Sequence, residues 1–384
     1  MDQTTHKGTD QGIWLRKLLK NGHLWFGLTL GLVWALQGLT GAILVFHREL
    51  DRAMLASSGA ETVGSSKYLP LNQIVATARK SLSVDPESIG VIDGDPSILA
   101  LNYIDAGGAR RGLLIEVSGG LILHDRNWRP KLPTDGDLTR WIYDLHHHLL
   151  LGETGGLLLG LSGLFLALSA GWGVYLGWPR RARWNEIFAL HKLRSLRQRM
   201  WGWHRSTGLV VGCVLILLAL SGASMDFGKE LRAFSSSYLP YREAYEAVPV
   251  KKMPSPITPQ RALEIASAQL PRAAFVTLTL PSEKSPVFRV RLRQPGEWRS
   301  WSGTSVVTIA PEGKVLDVYD AAAAPWTNRI LESAFAIHSG EVGNMPGRVL
   351  VAVAGIALPV LYVTGLWTWL LRRKRRNPNF PKDA

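Results

Sequence analysis

Four stretches of the chain contain no Asp, Glu, Lys or Arg: residues 24–46, 154–178, 206–225 and 349–371. The shortest has 20 residues and the longest 25, and a spanning helix needs about 20 predominantly apolar ones. One such stretch also suits a buried core helix; four in one chain point to a membrane. The first is too long for a signal-peptide core. His47-Arg48-Glu49-Leu50 follows it in place of a small-residue cleavage pattern, so it reads as a retained anchor.

The polar segments between them have their own patterning. Thr258-Pro259 supplies an N-cap and a first-turn proline to a helical spacing that continues to Ala266. Residues 275–280 read as a strand and 287–292 alternate as a half-exposed strand. Strands 306–309 and 315–318 flank the turn Pro311-Glu312-Gly313-Lys314. The earlier segment repeats this more loosely, with a helix over 71–82 and strands near 88–93, 97–104, 112–117 and 120–124. Each reads as a small α+β unit.

Charge orients the chain. Its 384 residues carry a net charge of +14, which alone would suggest a nucleic-acid partner. Residues 1–22 hold four Lys/Arg against two acids, 179–201 seven against one and 372–384 six against one. The long segments are nearly balanced, with 11 basic and 13 acidic residues in 48–152 and 14 and 11 in 228–346. Excess positive charge confined to the short segments marks the cytoplasmic side. No nucleic-acid partner is therefore expected; the basic residues flank a lipid bilayer. Several of the 15 Trp, among them Trp25, Trp172, Trp178, Trp201 and Trp367, sit near the ends of the apolar stretches, where indoles favour the interface. A lone Cys213 excludes a disulfide framework, a Cys-rich zinc site and an all-Cys iron–sulfur cluster.

The chain is also internally duplicated. At a shift of 181 residues, His23-x3-Gly27-x3-Gly31 meets His204-x3-Gly208-x3-Gly212, Thr40-Gly41-Ala42 meets Ser221-Gly222-Ala223, and Glu49-Leu50 meets Glu230-Leu231. At a shift of 192, Leu145-His146 meets Ile337-His338, Gly155, Gly163 and Gly173 meet Gly347, Gly355 and Gly365, and Arg180-Arg181 meets Arg372-Arg373. The fold class expected is an α-helical membrane protein with four transmembrane helices in two parallel helix–outer domain–helix repeats, related by a pseudo-two-fold axis along the membrane normal. Its parts are a cytoplasmic N-terminus (1–22), spans 23–47, 153–178, 202–227 and 347–371, outer domains 48–152 and 228–346, a cytoplasmic basic loop (179–201) and a cytoplasmic basic tail (372–384). Pro359 is expected to kink the fourth span; the other spans show no obvious break.

His23-Leu24-Trp25-x-Gly27, Leu39-Thr40-Gly41-Ala42, Leu145-His146 leading to Leu149-Leu150-Leu151-Gly152, and Ile337-His338-Ser339-Gly340 resemble the PepSY-associated transmembrane family over nearly the whole chain. The resemblance implies two PepSY-like periplasmic domains bracketed by helices, in the inner membrane of a bacterium, with both termini cytoplasmic. Relatives are iron-regulated, and the likeness extends to siderophore-iron reductases of Gram-negative bacteria. It thereby implies haem-linked electron transfer. Some relatives carry a fused flavin domain; this sequence shows none, which leaves the electron donor open between a cytoplasmic partner and membrane quinol.

The duplication then pairs the histidines. His23 and His204 open the first and third spans on the cytoplasmic side, and His146 and His338 precede the second and fourth on the outer side. A bis-imidazole haem takes one His from each of two helices at similar depth, and two-fold symmetry supplies that twice. Two b-type haems are expected, since no Cys-x2-Cys-His is present for covalent attachment. In His-x3-Gly-x3-Gly the three residues share one helix face, so glycine would let a flat macrocycle approach the backbone. Gly-x3-Gly is equally a helix-packing motif in membranes, and interfacial His also serves as an anchor. His47 and His148 are second choices as outer ligands. His47 has no counterpart, because Gly228 stands at the shifted position. Arg140, Asp144, Glu153, Glu341 and Arg348 are candidates for lining a substrate mouth at the outer ends of the spans.

These features lead to one expected function and one alternative. The first is a di-haem reductase that passes electrons outward to ferric siderophore in the periplasm, where reduction to Fe(II) weakens hard-oxygen coordination and releases the metal. The alternative is a membrane-anchored PepSY binding or regulatory module without a redox cofactor.

Overall fold

The computed structural model describes residues 4–57, 69–82, 85–92, 94–133, 137–179, 184–190, 193–244, 256–283, 285–299 and 301–374. The chain forms two compact units. One comprises Met1–Val45, His146–Phe227 and Ile337–Ala384; the other comprises Phe46–Leu145 and Gly228–Ala336.

In chain order the elements are α1 (Thr4–Thr29), α2 (Gly31–Leu44), α3 (His47–Ser57), α4 (Leu71–Leu82), β1 (Ser88–Ile92), β2 (Asp95–Ile104), β3 (Arg110–Glu116), β4 (Ile122–Asn127), α5 (Leu138–His148), α6 (Gly152–Gly177), α7 (Asn185–Phe188) and α8 (Leu196–Asp226). There follow α9 (Gly228–Tyr238), α10 (Pro259–Gln269), β5 (Ala274–Thr279), β6 (Phe288–Arg293), β7 (Ser305–Ile309), β8 (Val315–Tyr319), α11 (Trp326–His338) and α12 (Asn344–Lys374).

In the first unit, α6, α8 and the helix that includes α12 are long and apolar enough to cross a membrane, and the bent pair α1–α2 makes a fourth if it counts as one span. The first apolar stretch is therefore not the unbroken span expected. It bends by 64° between α1 and α2. Hydrogen bonds from Leu30 N to Phe26 O (2.9 Å) and from Trp34 N to Leu30 O (3.0 Å) carry the ladder across the break. Glycine is a usual cause of such kinks. Here the Tyr362 ring fills the space that a side chain at Gly31 would take, 2.6 Å from where its Cβ would lie. Helix α1 also reaches back to Thr4, so most of the segment assigned to an N-terminal tail is helical. Helix α12 runs unbroken through Pro359.

Small residues set the helix crossings. A Cβ on Gly38 of α2 would stand 2.4 Å from the Gly355 carbonyl oxygen of α12, and one on Gly355 would stand 2.5 Å from that of Gly38. Between α6 and α8, a Cβ on Gly163 would stand 3.2 Å from the Ala219 carbonyl oxygen. Trp34 Nε1 donates to Ser162 Oγ at 2.9 Å and ties α2 to α6.

In the second unit the strands form one antiparallel sheet of eight, in the order β4-β3-β2-β1-β5-β6-β7-β8. The two α+β units expected as separate domains are thus halves of a single body, joined where β1 pairs with β5 in the register Ser88–Thr279, Ile89–Leu278, Gly90–Thr277. Each half is a four-stranded meander with its first strand at an edge. Pairing those two edges covers backbone groups that would otherwise template aggregation. Helices α4 and α10 contribute Ile74, Val75, Ala78, Ala262 and Ala266 to a core shared with Leu101, Ile115, Leu278, Val290 and Ile309. Their N-termini cap each other: Leu71 N donates to Gln260 Oε1 and Gln260 N to Asn72 Oδ1, both at 3.2 Å.

The half containing β8 holds a half-buried acid. Tyr319 Oη donates to Glu332 Oε1 at 2.5 Å, and Thr304 Oγ1 to Glu332 Oε2 at 3.1 Å. Burial pushes the Glu332 carboxyl above its usual range, against the pull of those hydrogen bonds. A raised folded pKa favours the protonated form. The resulting stability is fully present below the unfolded pKa, about 4.3, and is lost as pH rises through the folded value. Glu332→Gln is accordingly expected to flatten the decline of Tm as pH rises above about 4.3. An unchanged slope in a melting series would remove Glu332 as its source.

Candidate functional site

Four histidines of the helical unit stand in two facing pairs. The His23 and His204 ring centres are 6.0 Å apart, and those of His146 and His338 are 6.2 Å apart. His23 comes from α1, His204 from α8, His146 from the end of α5 and His338 from the end of α11. These are the two pairs that the register of the sequence sets against each other.

Each imidazole is fixed from behind in the same way. His23 Nδ1 donates to the Ser169 carbonyl at 2.9 Å, His204 Nδ1 to the Leu361 carbonyl at 3.0 Å and His338 Nδ1 to the Leu218 carbonyl at 2.9 Å. A carbonyl only accepts, so Nδ1 carries the proton in all three. His146 Nδ1 meets Thr40 Oγ1 at 2.9 Å. The Thr40 hydroxyl already donates to the Leu36 carbonyl at 2.9 Å, so it accepts from His146 as well. Hydroxyls repeat beside the others: Ser169 Oγ at 3.0 Å from His23, Thr364 Oγ1 at 3.3 Å from His204 and Ser221 Oγ at 3.3 Å from His338.

A glycine lies under every ring. A Cβ on Gly173 would be 3.0 Å from His23 Cε1, and one on Gly365 would be 3.1 Å from His204 Cε1. One on Gly41 would be 2.9 Å from His146 Cε1, and one on Gly222 3.0 Å from His338 Cε1. A Cβ at Gly41 would force a shift, and one at the other three would press the imidazole aside by a few tenths of an ångström. In three of the four cases the carbonyl, hydroxyl and glycine stand at i, i+3 and i+4 of one helix: Gln37-Thr40-Gly41, Leu218-Ser221-Gly222 and Leu361-Thr364-Gly365. These positions line one face a single turn apart.

The arrangement defines the ligating tautomer. With Nδ1 protonated and bonded to protein, each neutral ring keeps a free lone pair on Nε2, the state in which histidine binds a metal ion. Two metal–nitrogen bonds of about 2 Å, each with about 1 Å more to its ring centre, span about 6 Å. The observed separations match that span. The donor set therefore fits a bis-imidazole haem iron twice over.

The glycines of His-x3-Gly-x3-Gly divide. No atom lies within 4 Å of a Cβ on Gly27, and only Leu361 Cδ2, at 3.6 Å, approaches one on Gly208. These two keep the open face expected. Gly31 and Gly212 do not: Tyr362 and Val174 fill the space beside them, at 2.6 and 2.4 Å. They are helix-packing positions.

The second-choice ligands lie elsewhere. His47 begins α3 in the sheet unit, its ring edge-on to Trp301 at 6.0 Å. His148 neighbours His147 at 6.2 Å, and its Cδ2 and Asp226 Oδ1 both flank Gly156. Among the described residues no group of three or more His, Cys, Asp or Glu is arranged to hold a metal ion. His191 and the side chain of His6 lie outside the described residues.

The five mouth candidates are divided between the units. Arg140 and Asp144 belong to the sheet unit. Arg140 stacks over Trp128 at 4.6 Å and approaches Asp51 at 3.9 Å, in a buried cluster where Arg126 pairs with Asp51 (3.0 Å) and Asp137 (2.7 Å). In the helical unit Arg348 is buried and donates through Nε (3.1 Å) and Nη2 (2.6 Å) to the Val45 carbonyl, capping the end of α2. Glu341 is buried and Glu153 exposed.

Apolar helices of spanning length and a separate antiparallel sheet define a membrane-associated protein whose helical unit carries two facing imidazole pairs. The chain belongs to the family described as the PepSY-associated TM region, whose model matches residues 21–372. No curated protein matches it.

Proposed function

We propose that this chain is a di-haem membrane reductase. In this reading four spans form two repeats in a bacterial inner membrane, with both termini cytoplasmic and the sheet unit, built of PepSY-like halves, periplasmic. The reaction is transfer of electrons from a cytoplasmic or quinol donor to ferric siderophore. The observation that carries the reading is the pair of facing imidazole sets, each ring held as the Nδ1–H tautomer over a glycine.

His23 and His204 would hold one haem b and His146 and His338 the other. When bound, haem iron supplies reversible one-electron transfer. The protein's own contribution is to fix four neutral imidazoles. Backbone carbonyls accept the Nδ1 protons of His23, His204 and His338, the Thr40 hydroxyl accepts that of His146, and the glycines let the rings approach helix backbone. The substrate reading rests on the family likeness and on elementary coordination chemistry. One electron converts Fe(III) to Fe(II), and the lower charge loosens hard-oxygen chelation.

The test is a visible spectrum of the purified protein, oxidised and then dithionite-reduced, with haem counted per chain. About two haems per chain with sharp reduced bands are expected, together with reoxidation by added ferric siderophore. A colourless protein from haem-replete cells would sink the proposal and favour a cofactor-free binding module. Two haems without siderophore reoxidation would leave the carrier and discard the acceptor.

A further inference from the structure

Arg197, Gln198 and Trp201 of α8 and Arg372 of α12 line one concave site in the helical unit. Positions 197, 198 and 201 share a face of α8, since i and i+4 stack one turn apart. Arg372 is the first residue after the apolar stretch 349–371, and Trp201 precedes the stretch 206–225 by one turn and a residue. The site therefore stands at the ends of two apolar helices, where lipid headgroups meet a spanning protein.

Its groups are already arranged. Gln198 Oε1 accepts from Ser195 N at 3.0 Å and Arg194 N at 3.2 Å, so the remaining Gln198 valences are amide N–H donors. Arg205 lies over the Trp201 ring at 5.3 Å, and its Nε donates to the Gly177 carbonyl at 2.8 Å, which braces the indole. No carboxylate pairs with Arg197 or Arg372 among the described residues. The four lining side chains, two guanidiniums, an amide and a braced indole, offer donors and positive charge. The site is also distinct from both imidazole pairs.

We infer that this site binds a phosphate ester anion, supplied by the headgroup of an acidic phospholipid. Guanidinium groups match phosphate oxygens bidentately, basic pockets between helices at the cytoplasmic face recognise acidic headgroups, and the indole suits the boundary between headgroup and acyl chain. The inference needs neither haem nor reductase activity.

Full-length protein in neutral detergent, wild type and the Arg197→Gln/Arg372→Gln pair, would be melted with phosphatidylglycerol, with phosphatidylcholine and with glycerol phosphate. Arg272→Gln, an exposed site on the sheet unit, controls for loss of one positive charge elsewhere and is matched by the single variant Arg372→Gln. Phosphatidylglycerol is expected to raise the Tm of the wild type and of Arg272→Gln, and native mass spectrometry to retain at least one such lipid. The double variant should keep the lipid-free Tm and lose most of the increase. Equal protection by glycerol phosphate would keep the anion site but assign it to a soluble phosphate ester. Equal responses of wild type and double variant to every phosphate probe would overturn the inference, as would a phosphatidylcholine effect as large as that of phosphatidylglycerol. Should the double variant fold poorly, lipid retention by Arg372→Gln alone decides the matter.

Discussion

If the proposed di-haem reading holds, His204→Ala should leave one haem per chain in place of two. The loss follows from the geometry of the pair. With the His204 ring gone, His23 faces a gap across a distance of 6.0 Å, and a single imidazole holds a b-type haem without covalent help far less well than two do. His146→Ala should remove the other haem. The pairing itself is tested by combination. His23→Ala/His204→Ala should bind as much haem as either single variant, because both changes strike one site. His204→Ala/His338→Ala should bind none. The second-choice ligands supply controls: His47→Ala and His148→Ala should retain both haems. Haem counted against protein, with reduced spectra of each variant, decides these outcomes. Two haems in His204→Ala would overturn the inner pair, and a colour loss confined to His47→Ala would move the outer ligand into α3.

The secondary structure around these sites was largely written in hydrophobic spacing. The helix read over 71–82 is α4, and the strands read near 97–104 and over 306–309 are β2 and β7 to within two residues at each end. The partner of each histidine was also legible: the motif shifts of 181 and 192 residues pair the same four rings that stand 6.0 and 6.2 Å apart. Other features had no local signal. Backbone carbonyls accept three of the four Nδ1 protons, and every residue has a carbonyl. Thr40-Gly41 and Ser221-Gly222 stood out as a repeated motif, yet their task appears only once His146 and His338 pack on them. Thr364-Gly365 repeats the dipeptide. The fourth site breaks it: Trp172 precedes Gly173, and Ser169, a turn earlier, supplies the hydroxyl. The bend at Leu30 was hidden because Gly27 and Gly31 read alike, although one stays open and the other receives Tyr362. The joining of β1 to β5 was hidden because a strand's pattern shows which face is buried and is silent about which edge is paired.

Gly38→Leu is expected to have the largest effect on folding. Residues 38 and 355 meet backbone to backbone: a Cβ on Gly38 would lie 2.4 Å from the Gly355 carbonyl oxygen and 2.9 Å from Leu358 Cβ. Close approach of this kind is how membrane helices gain packing energy, since lipid provides no hydrophobic drive for association. An overpacked side chain in a core commonly costs about 1–3 kcal/mol, because neighbours rotate aside. A carbonyl inside a helix has no rotamer to change, so α2 and α12 must separate and the cost should exceed that range. The same displacement would move Gly41, and with it the seat of His146, one turn along α2. Gly38→Leu should therefore lower the Tm sharply and release the haem of the His146–His338 pair before that of His23–His204. Gly163→Ala is the graded comparison. Its Cβ would lie 3.2 Å from the Ala219 carbonyl oxygen, a tight contact that a shift of a few tenths of an ångström relieves, and a small change in Tm is expected. If Gly38→Leu and Gly163→Ala melt alike and keep both haems, contact between α2 and α12 does not hold the second imidazole pair in place.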